Sequence, residues 1–133
     1  MDRGEILKVN ELKPHMKEFT IVVKVTEKEA IREVFSSKTG NIYSVAQLVV
    51  GDDTGVIKLV VWDDMIKKFR KGDTYKITGA YTSLFRGHMQ LNLSKEGALR
   101  KTPKGFEKIN KRNNLSEDTH QRKYKPYSYK ETI

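Results

Sequence analysis

Alternating apolar and polar residues divide the first two thirds of the chain into short strand-like segments separated by turns. Residues 19–25 are β-branched and aromatic, which favours a strand, and the pattern continues irregularly to residue 35, predicting one long bent strand. Clusters of Gly, Asn and Asp mark the breaks, because these residues favour turns. Further strands are predicted over residues 42–50, 56–62, 74–83 and 89–93, with a short helix over 65–69.

Five short strands with one small helix between the third and the fourth predict an all-β chain, a five-stranded OB-fold barrel. A parallel α/β fold needs a crossover helix between most strands, and the pattern predicts none. An SH3-like barrel also uses five strands, but the helix favours the OB architecture. The predicted organisation is an OB-fold nucleic-acid-binding domain over residues 1–99 and a basic, tyrosine-containing tail over 100–133.

Positive charge is concentrated in this tail. The chain has 26 Lys and Arg against 17 Asp and Glu, a net charge of +9. Residues 100–133 hold ten basic and four acidic side chains, so the tail carries most of the excess. Such a balance suggests a polyanion partner, usually nucleic acid. Tyr124, Tyr127 and Tyr129 lie among these cations, and two interpretations stay open: extra nucleic-acid contact or a solubilising extension.

Composition narrows the class of protein further. The chain contains no cysteine, which excludes disulfides and thiolate metal sites. No apolar run approaches the roughly 20 residues of a membrane span. The first residues also lack the basic flank and apolar segment of a signal peptide. We therefore expect a cytoplasmic, nucleoid-associated protein that binds no membrane, and a monomer rather than an oligomer.

The third predicted strand suggests where a ligand binds. Because side chains alternate along a strand, Lys58, Val60 and Trp62 share one face, and the residues between them point to the core. A ring on the outward face can stack a base, while a cation beside it neutralises a phosphate. Alternation alone leaves a second interpretation open, in which Trp62 closes the end of the barrel against the helix.

The fourth strand and the turn after it add Tyr81, Phe85 and Arg86. An aromatic residue next to an arginine in a loop often serves binding, with loop anchoring as the alternative for Phe85. Strict alternation places Tyr81 on the core side, whereas a β-bulge at Gly79 would turn it outward. The pattern does not choose between these two orientations.

Polar residues supply further candidates for contacts to bases or phosphates. On the fifth strand Gln90 and Asn92 face outward by alternation, although a solvated face explains them equally well. Arg32 and Lys38 are additional candidates for phosphate or polar contacts. Two aromatic residues, Phe35 and Tyr43, flank the first predicted hairpin. Both fit packing in the core or within the hairpin better than a place in a nucleic-acid-binding groove.

Several of these residues belong to an ordered set of motifs that resembles a known family. The set resembles the single-OB-fold single-stranded DNA-binding proteins of archaea over roughly residues 10–95. It is also similar to the human sensor-of-ssDNA proteins, which are related to replication protein A. The motifs are Gly51-Asp52-x-Thr54-Gly55, Lys58-Leu59-x-x-Trp62, Lys71-Gly72-Asp73, Tyr81-Thr82-Ser83-x-Phe85-Arg86-Gly87 and Gln90-Leu91-Asn92.

The resemblance implies that Trp62, Tyr81 and Phe85 stack successive bases, and hence that Tyr81 faces outward at a bulge. Two departures stand out. Some members carry an aromatic residue where this chain has Asn92, and related tails are often Gly/Pro-rich or end in acidic residues, whereas this tail is basic. A partner-docking acidic tip is therefore not expected here.

The sequence does not predict an enzyme. Its paired aspartates occupy turns and, at Asp63-Asp64, a helix cap, positions that favour aspartate for structural reasons. The three histidines are scattered without metal-ligand spacing, and no phosphate-cradling loop or nucleophile elbow is present. We expect no catalytic residue, no metal and no cofactor.

The predicted function is sequence-tolerant binding of single-stranded DNA, which would protect it in replication, recombination and repair. Proteins of replication or repair are expected as further partners. Two alternatives remain open at this stage. The same rings stack RNA bases, so an RNA- or tRNA-binding OB module is one. An OB-fold scaffold protein that docks other proteins is the other.

Overall fold

The computed structural model describes residues 5–103 and 105–117 of the chain. The described residues form seven strands and two short 3₁₀ helices, at Val9–Glu11 and Asp63–Lys68. The strands are β1 (Ile6–Leu7), β2 (Phe19–Lys28), β3 (Arg32–Phe35), β4 (Ile42–Gly51), β5 (Val56–Trp62), β6 (Thr74–Phe85) and β7 (His88–Thr102).

Five of these strands close into a ring. The strand order is β1-β2-β6-β7-β5-β4-β3, and β2 also pairs with β4, which joins the two sides of the sheet. The predicted bent first strand corresponds to β2 and β3, with a short interruption between them. The ring and the helix between β5 and β6 confirm the predicted OB fold. Ring closure leaves β1 and β3 outside as extensions.

Alternation along the strands builds the core inside the ring. Ile57, Leu59 and Val61 on β5 are buried, as the pattern predicted. The helix after β5 contributes Ile66, and Phe69 follows it, fully buried, with its ring 4.9 Å from that of Tyr75 in an edge contact. These apolar groups close this end of the ring.

The helix begins differently from the prediction. The N-cap position is held by Trp62 without a side-chain hydrogen bond, and the segment is a 3₁₀ helix. The carboxylate of Asp63 instead accepts a hydrogen bond from the backbone N–H of Ser44, at 2.9 Å. Its role is therefore to join the helix to β4. By contrast, Asp52 serves the turn, since its buried carboxylate accepts bonds from Thr54 and from the N–H of Val9.

A β-bulge in β6 sets the direction of Tyr81. Gly79 has φ of +77°, a left-handed conformation that glycine adopts without the steric penalty of a Cβ. The register with β7 shifts between Thr78 and Ala80. The buried side of β6 consequently changes parity, from Ile77 before the bulge to Ala80 after it, and Tyr81 points outward.

The described part of the fold extends beyond residue 99, as far as residue 117. Strand β7 continues to Thr102, well past the predicted end at residue 93, and residues 105–117 pack back onto the ring. The Val56 N–H donates to the carbonyl of Asn113 at 2.9 Å, and the Leu115 N–H donates to the carbonyl of Val56 at the same distance. The tail tyrosines 124, 127 and 129 lie outside the described residues.

Candidate nucleic-acid interface

Trp62 is solvent-accessible and does not close the ring. Its side chain is 46% exposed, whereas Ile66 and Phe69 fill the end of the core. Lys58 and Val60, which share its face by alternation, are half-buried at the surface of the ring. This resolves the interpretation that the sequence left open for the orientation of Trp62.

Neighbouring strands extend this surface in register. Tyr81 lies opposite Asn92, Asn92 opposite Val60, and Val60 opposite Gln47, so one row crosses four strands. The next row contains Ser83, Gln90, Lys58 and Val49. Because paired residues point to the same side of a sheet, these rows form one continuous surface. We call it the groove face, which comprises the residues of both rows together with Trp62 and Phe85.

The three rings predicted to stack bases lie on this one face. Trp62 is at one end and Phe85 at the other, with Tyr81 in a row between them. Tyr81 and Phe85 are 37% and 54% exposed. They are four positions apart along β6, roughly 13 Å in an extended strand. That separation leaves room, beside Ser83 and Lys58, for the part of a nucleic-acid strand that links two stacked bases.

Cations lie at both ends of the groove face. Arg86 occupies a two-residue hairpin turn with Gly87, and both have positive φ, as a type I′ turn requires. The Cζ atom of Arg86 is 5.2 Å from the centre of the Phe85 ring. At the other end, Arg32 pairs with Val45, which pairs with Trp62, so Arg32 and Trp62 are about 10 Å apart across two strand spacings.

Two further predicted residues differ in their surroundings. Asn92 is held in place, since its Nδ2 donates to the Ser83 hydroxyl at 2.9 Å and to the Gln90 carbonyl at 3.4 Å. Its amide nitrogen therefore faces protein partners beside Tyr81. Lys38 lies in the exposed turn between β3 and β4, outside the groove face. The structure thus brings together all the predicted site residues except Lys38.

A cleft at the Phe85 end contains residues that sequence reasoning missed. It encloses about 480 Å³ and is bordered by the Phe85 end of the groove face and by residues 114–117. The missed residues are Gln47, His88, Asn114, Ser116 and Glu117. Only Gln47 carries a signal in the sequence, as a polar residue inside the apolar run of residues 45–50. The other end has a more apolar cleft of about 420 Å³, where Trp62 lies near Met65 and Leu93.

The described residues hold neither a metal-binding cluster nor a membrane-spanning helix. Within residues 5–103 and 105–117, no group of three or more His, Cys, Asp or Glu side chains is arranged to hold a metal ion. Over the same ranges, no helix has the length and apolar character needed to cross a membrane.

The fold and the exposed rings describe an oligonucleotide-binding class of protein, and comparison with known families agrees. The family model for the single-stranded DNA-binding protein Ssb-like OB fold matches residues 12–101. The chain therefore belongs to the Ssb-like family of OB-fold single-stranded DNA-binding proteins.

Individual relatives extend the comparison. The single-stranded DNA-binding protein Ssb of Saccharolobus solfataricus is 35% identical over 85 residues, which cover 64% of this chain and 56% of that protein. The match thus spans little more than half of the curated relative. A hypothetical Arabidopsis thaliana protein has a solution structure with a TM-score of 0.73 at 24% identity, covering 90% of this chain and 88% of that one. The replication factor A related protein of Methanobacterium thermoautotrophicum has a TM-score of 0.63 at 22% identity, covering 77% and 94%.

Proposed function

We propose that the chain binds single-stranded DNA on the groove face, with bases stacked on Trp62, Tyr81 and Phe85. The observation that carries the proposal is that three exposed rings share one side of the closed ring, interleaved with Lys58 and Arg86. Membership of the Ssb-like family supports the same ligand.

The energetics of stacking explain sequence tolerance. Each stacked base contributes about 1–3 kcal/mol, and every base offers a π-face. A duplex hides those faces between base pairs, so it cannot present them to the rings. Specificity for single strands over duplex thus comes from access to the base face, without any reading of base edges.

Cations supply the second part of the affinity. Lys58 lies in the row between Tyr81 and Phe85, and Arg86 lies beside Phe85, so both are close to the path of a strand that joins the stacked bases. Neutralising phosphates releases counterions from the nucleic acid and makes binding weaken with salt. Gln90, Asn92 and Arg32 add polar contacts along the same path, and Lys38 adds one from the hairpin turn.

The biological role that follows is protection of single-stranded DNA during replication, recombination and repair. This role requires binding and release without chemistry, so the protein acts without catalysis, metal or cofactor. It acts as a monomer at the nucleoid, where replication and repair proteins are its partners.

Fluorescence of Trp62 tests the proposal directly, because the chain contains one tryptophan. Titration with oligo-dT should quench the emission strongly, since a stacked base contacts the ring, and the midpoint should move to higher DNA concentration as salt rises. A duplex of equal length is the control and should quench little. Unchanged emission, together with no binding by an independent method such as anisotropy of labelled dT, would refute the stacking assignment.

Competition between matched oligo-dT and oligo-U then defines the ligand. The two differ in the 2′-hydroxyl of the sugar and in the 5-methyl group of the base, and both present a pyrimidine face to the rings, so contacts to the sugar are the main difference that the protein can recognise. Preferential displacement of labelled dT by unlabelled dT is expected. Stronger displacement by oligo-U would assign the groove face to RNA.

A further inference from the structure

Residues 113–116 lie between β5 and β7, at the place where those two strands separate. The parallel pairing of β5 with β7 extends from Lys58 and Gln90 to Val60 and Asn92. Two residues earlier on β5, Val56 pairs instead with Asn114, in a parallel bridge. The C-terminal segment thus takes the position beside β5 that β7 occupies further along the strand.

The hydroxyl group of Ser116 joins this segment to both strands by hydrogen bonds. Its Oγ accepts a hydrogen bond from the Lys58 N–H at 2.9 Å and donates one to the Met89 carbonyl at 2.5 Å. The carbonyl of Ser116 accepts a further bond from Nδ1 of His88 at 2.7 Å. Ser116 is only 6% exposed, so these bonds are shielded from water. Residues 113–116 are consequently an integral part of the folded unit.

This attachment creates the cleft of about 480 Å³ at the Phe85 end of the groove face. Asn114, Ser116 and Glu117 line one part of it, which we call its outer wall, and Phe85 and Arg86 line another part. The volume is within the range of about 300–1,000 Å³ that small-molecule sites occupy. The cleft opens on the groove face itself, because Lys58 and Gln90 belong to both.

The chemistry of the cleft suits a nucleotide. Lys58 and Arg86 supply positive charge for a phosphate, and the side-chain amides of Gln47, Gln90 and Asn114 can bond to the edges of a base. One group opposes such a ligand, namely the carboxylate of Glu117, which is exposed in the outer wall.

We propose that this cleft binds one further nucleotide of the DNA strand, beyond the base stacked on Phe85. The C-terminal segment is then the outer wall of the DNA site, although it lies beyond residues 12–101, the part that matches the family. The inference rests on the proposed function, since it concerns the same bound strand.

Two carboxylates within residues 105–117 provide a matched test. Glu117 lines the cleft, whereas Glu107 lies on another part of the surface, near Lys24, Lys71 and Lys111. Glu117→Gln and Glu107→Gln change the net charge of the protein equally, and both side chains are exposed. Affinity is measured for wild type and both variants with oligo-dT from about 4 to about 16 nucleotides.

Glu117→Gln should bind oligonucleotides long enough to reach the cleft about two- to fivefold more tightly, because a phosphate no longer approaches a carboxylate. The shortest oligonucleotides should bind the variant and wild type equally. Glu107→Gln should match wild type at every length.

Equal effects of the two Glu→Gln substitutions, or an effect of Glu117→Gln that is the same at every length, would overturn the subsite. In that case wild type would still bind dT and quench Trp62, so the proposed function would stand. Failure of wild type to bind dT at any length would instead overturn both proposals together.

Discussion

The groove face and the reverse side of the β3–β4 hairpin both expose large apolar residues, but their surroundings differ. Ile31, Phe35 and Ile42 at the hairpin are 57%, 65% and 64% exposed, more than any of the three rings on the groove face. Phe35 and Ile42 are a cross-strand pair, and the neighbouring pair on the same side is Glu33 and Ser44. The hairpin therefore presents apolar groups beside a carboxylate.

The comparison teaches that exposure of an aromatic ring does not by itself indicate a DNA site. On the groove face each ring has a cation or an amide within its own or an adjacent row, so a base and its phosphate can be bound together. Alternation in β3 sends Arg32 towards the groove face and Glu33 to the reverse side. The first surface therefore offers a guanidinium to a phosphate, whereas the second offers a carboxylate.

The largest expected effect comes from removing two rings from the groove face. Replacing Trp62 and Phe85 together with Ala should weaken dT binding by at least about 30-fold, because each stacked base contributes about 1–3 kcal/mol. The matched control, Phe35→Ala with Ile42→Ala, removes two equally exposed apolar groups and should change affinity less than about twofold. Anisotropy of labelled dT measures both, and circular dichroism confirms that each variant is folded. Equal losses in the two double variants would abolish the distinction between the regions.

A second prediction concerns the glycine that turns Tyr81 onto the groove face. Gly79 and Gly40 have nearly the same φ, +77° and +76°, but a Cβ at Gly79 would lie 2.9 Å from Cα of Gly97. A Cβ at Gly40 would have no atom of the described residues within 4 Å apart from its own chain neighbours. Gly40→Ala should lower the free energy of unfolding by about 1 kcal/mol, the strain of the left-handed backbone alone. Gly79→Ala should lower it by about 3 kcal/mol, since the strand must also shift.

Urea denaturation measures both glycine variants. The Gly79 variant should also bind dT more weakly, because the shift of the strand moves the Tyr81 ring, while the hairpin variant should bind normally. Equal destabilisation by the two substitutions would mean that the close approach to Gly97 has no energetic effect.

The smallest expected effect distinguishes a lysine of the groove face from one at the hairpin turn. If Lys58 neutralises a phosphate, Lys58→Gln should reduce the slope of log affinity against log salt by about 0.7. Lys38→Gln makes the same change of charge in the exposed turn. An unchanged slope for this variant would restrict the DNA path to the groove face, and a reduction equal to that of Lys58→Gln would extend the path onto the hairpin.

The local sequence pattern was sufficient to predict much of the candidate nucleic-acid interface. The alternation of apolar residues in β5 assigns Lys58, Val60 and Trp62 to one face, so the side on which Lys58 lies could be predicted from seven residues of sequence, while the exposure of Trp62 stayed open. The turn at Arg86-Gly87 was recognisable in the same way. In both cases the deciding interactions join residues that are close along the chain.

Tyr81 and the helix start show where local pattern was insufficient. Alternation cannot reveal a register shift, because a bulge adds one residue without changing the apolar composition of the strand. Asp63 is of a residue type that often caps helices, but its carboxylate accepts a hydrogen bond from the N–H of Ser44, nineteen residues away. When a side chain has two possible hydrogen-bond partners, the fold decides which of them is close enough to bond.

The amino-acid sequence by itself determined the ring of strands, the exposed face with its tryptophan and cations, and the family, because alternation and turn residues act over a few positions. Only the tertiary structure decided how the site ends. Ser116 bonds to the N–H of Lys58, 58 residues earlier, and to the carbonyl of Met89, 27 residues earlier. No periodicity encodes such contacts, since they depend on where β5 and β7 separate once the ring has closed.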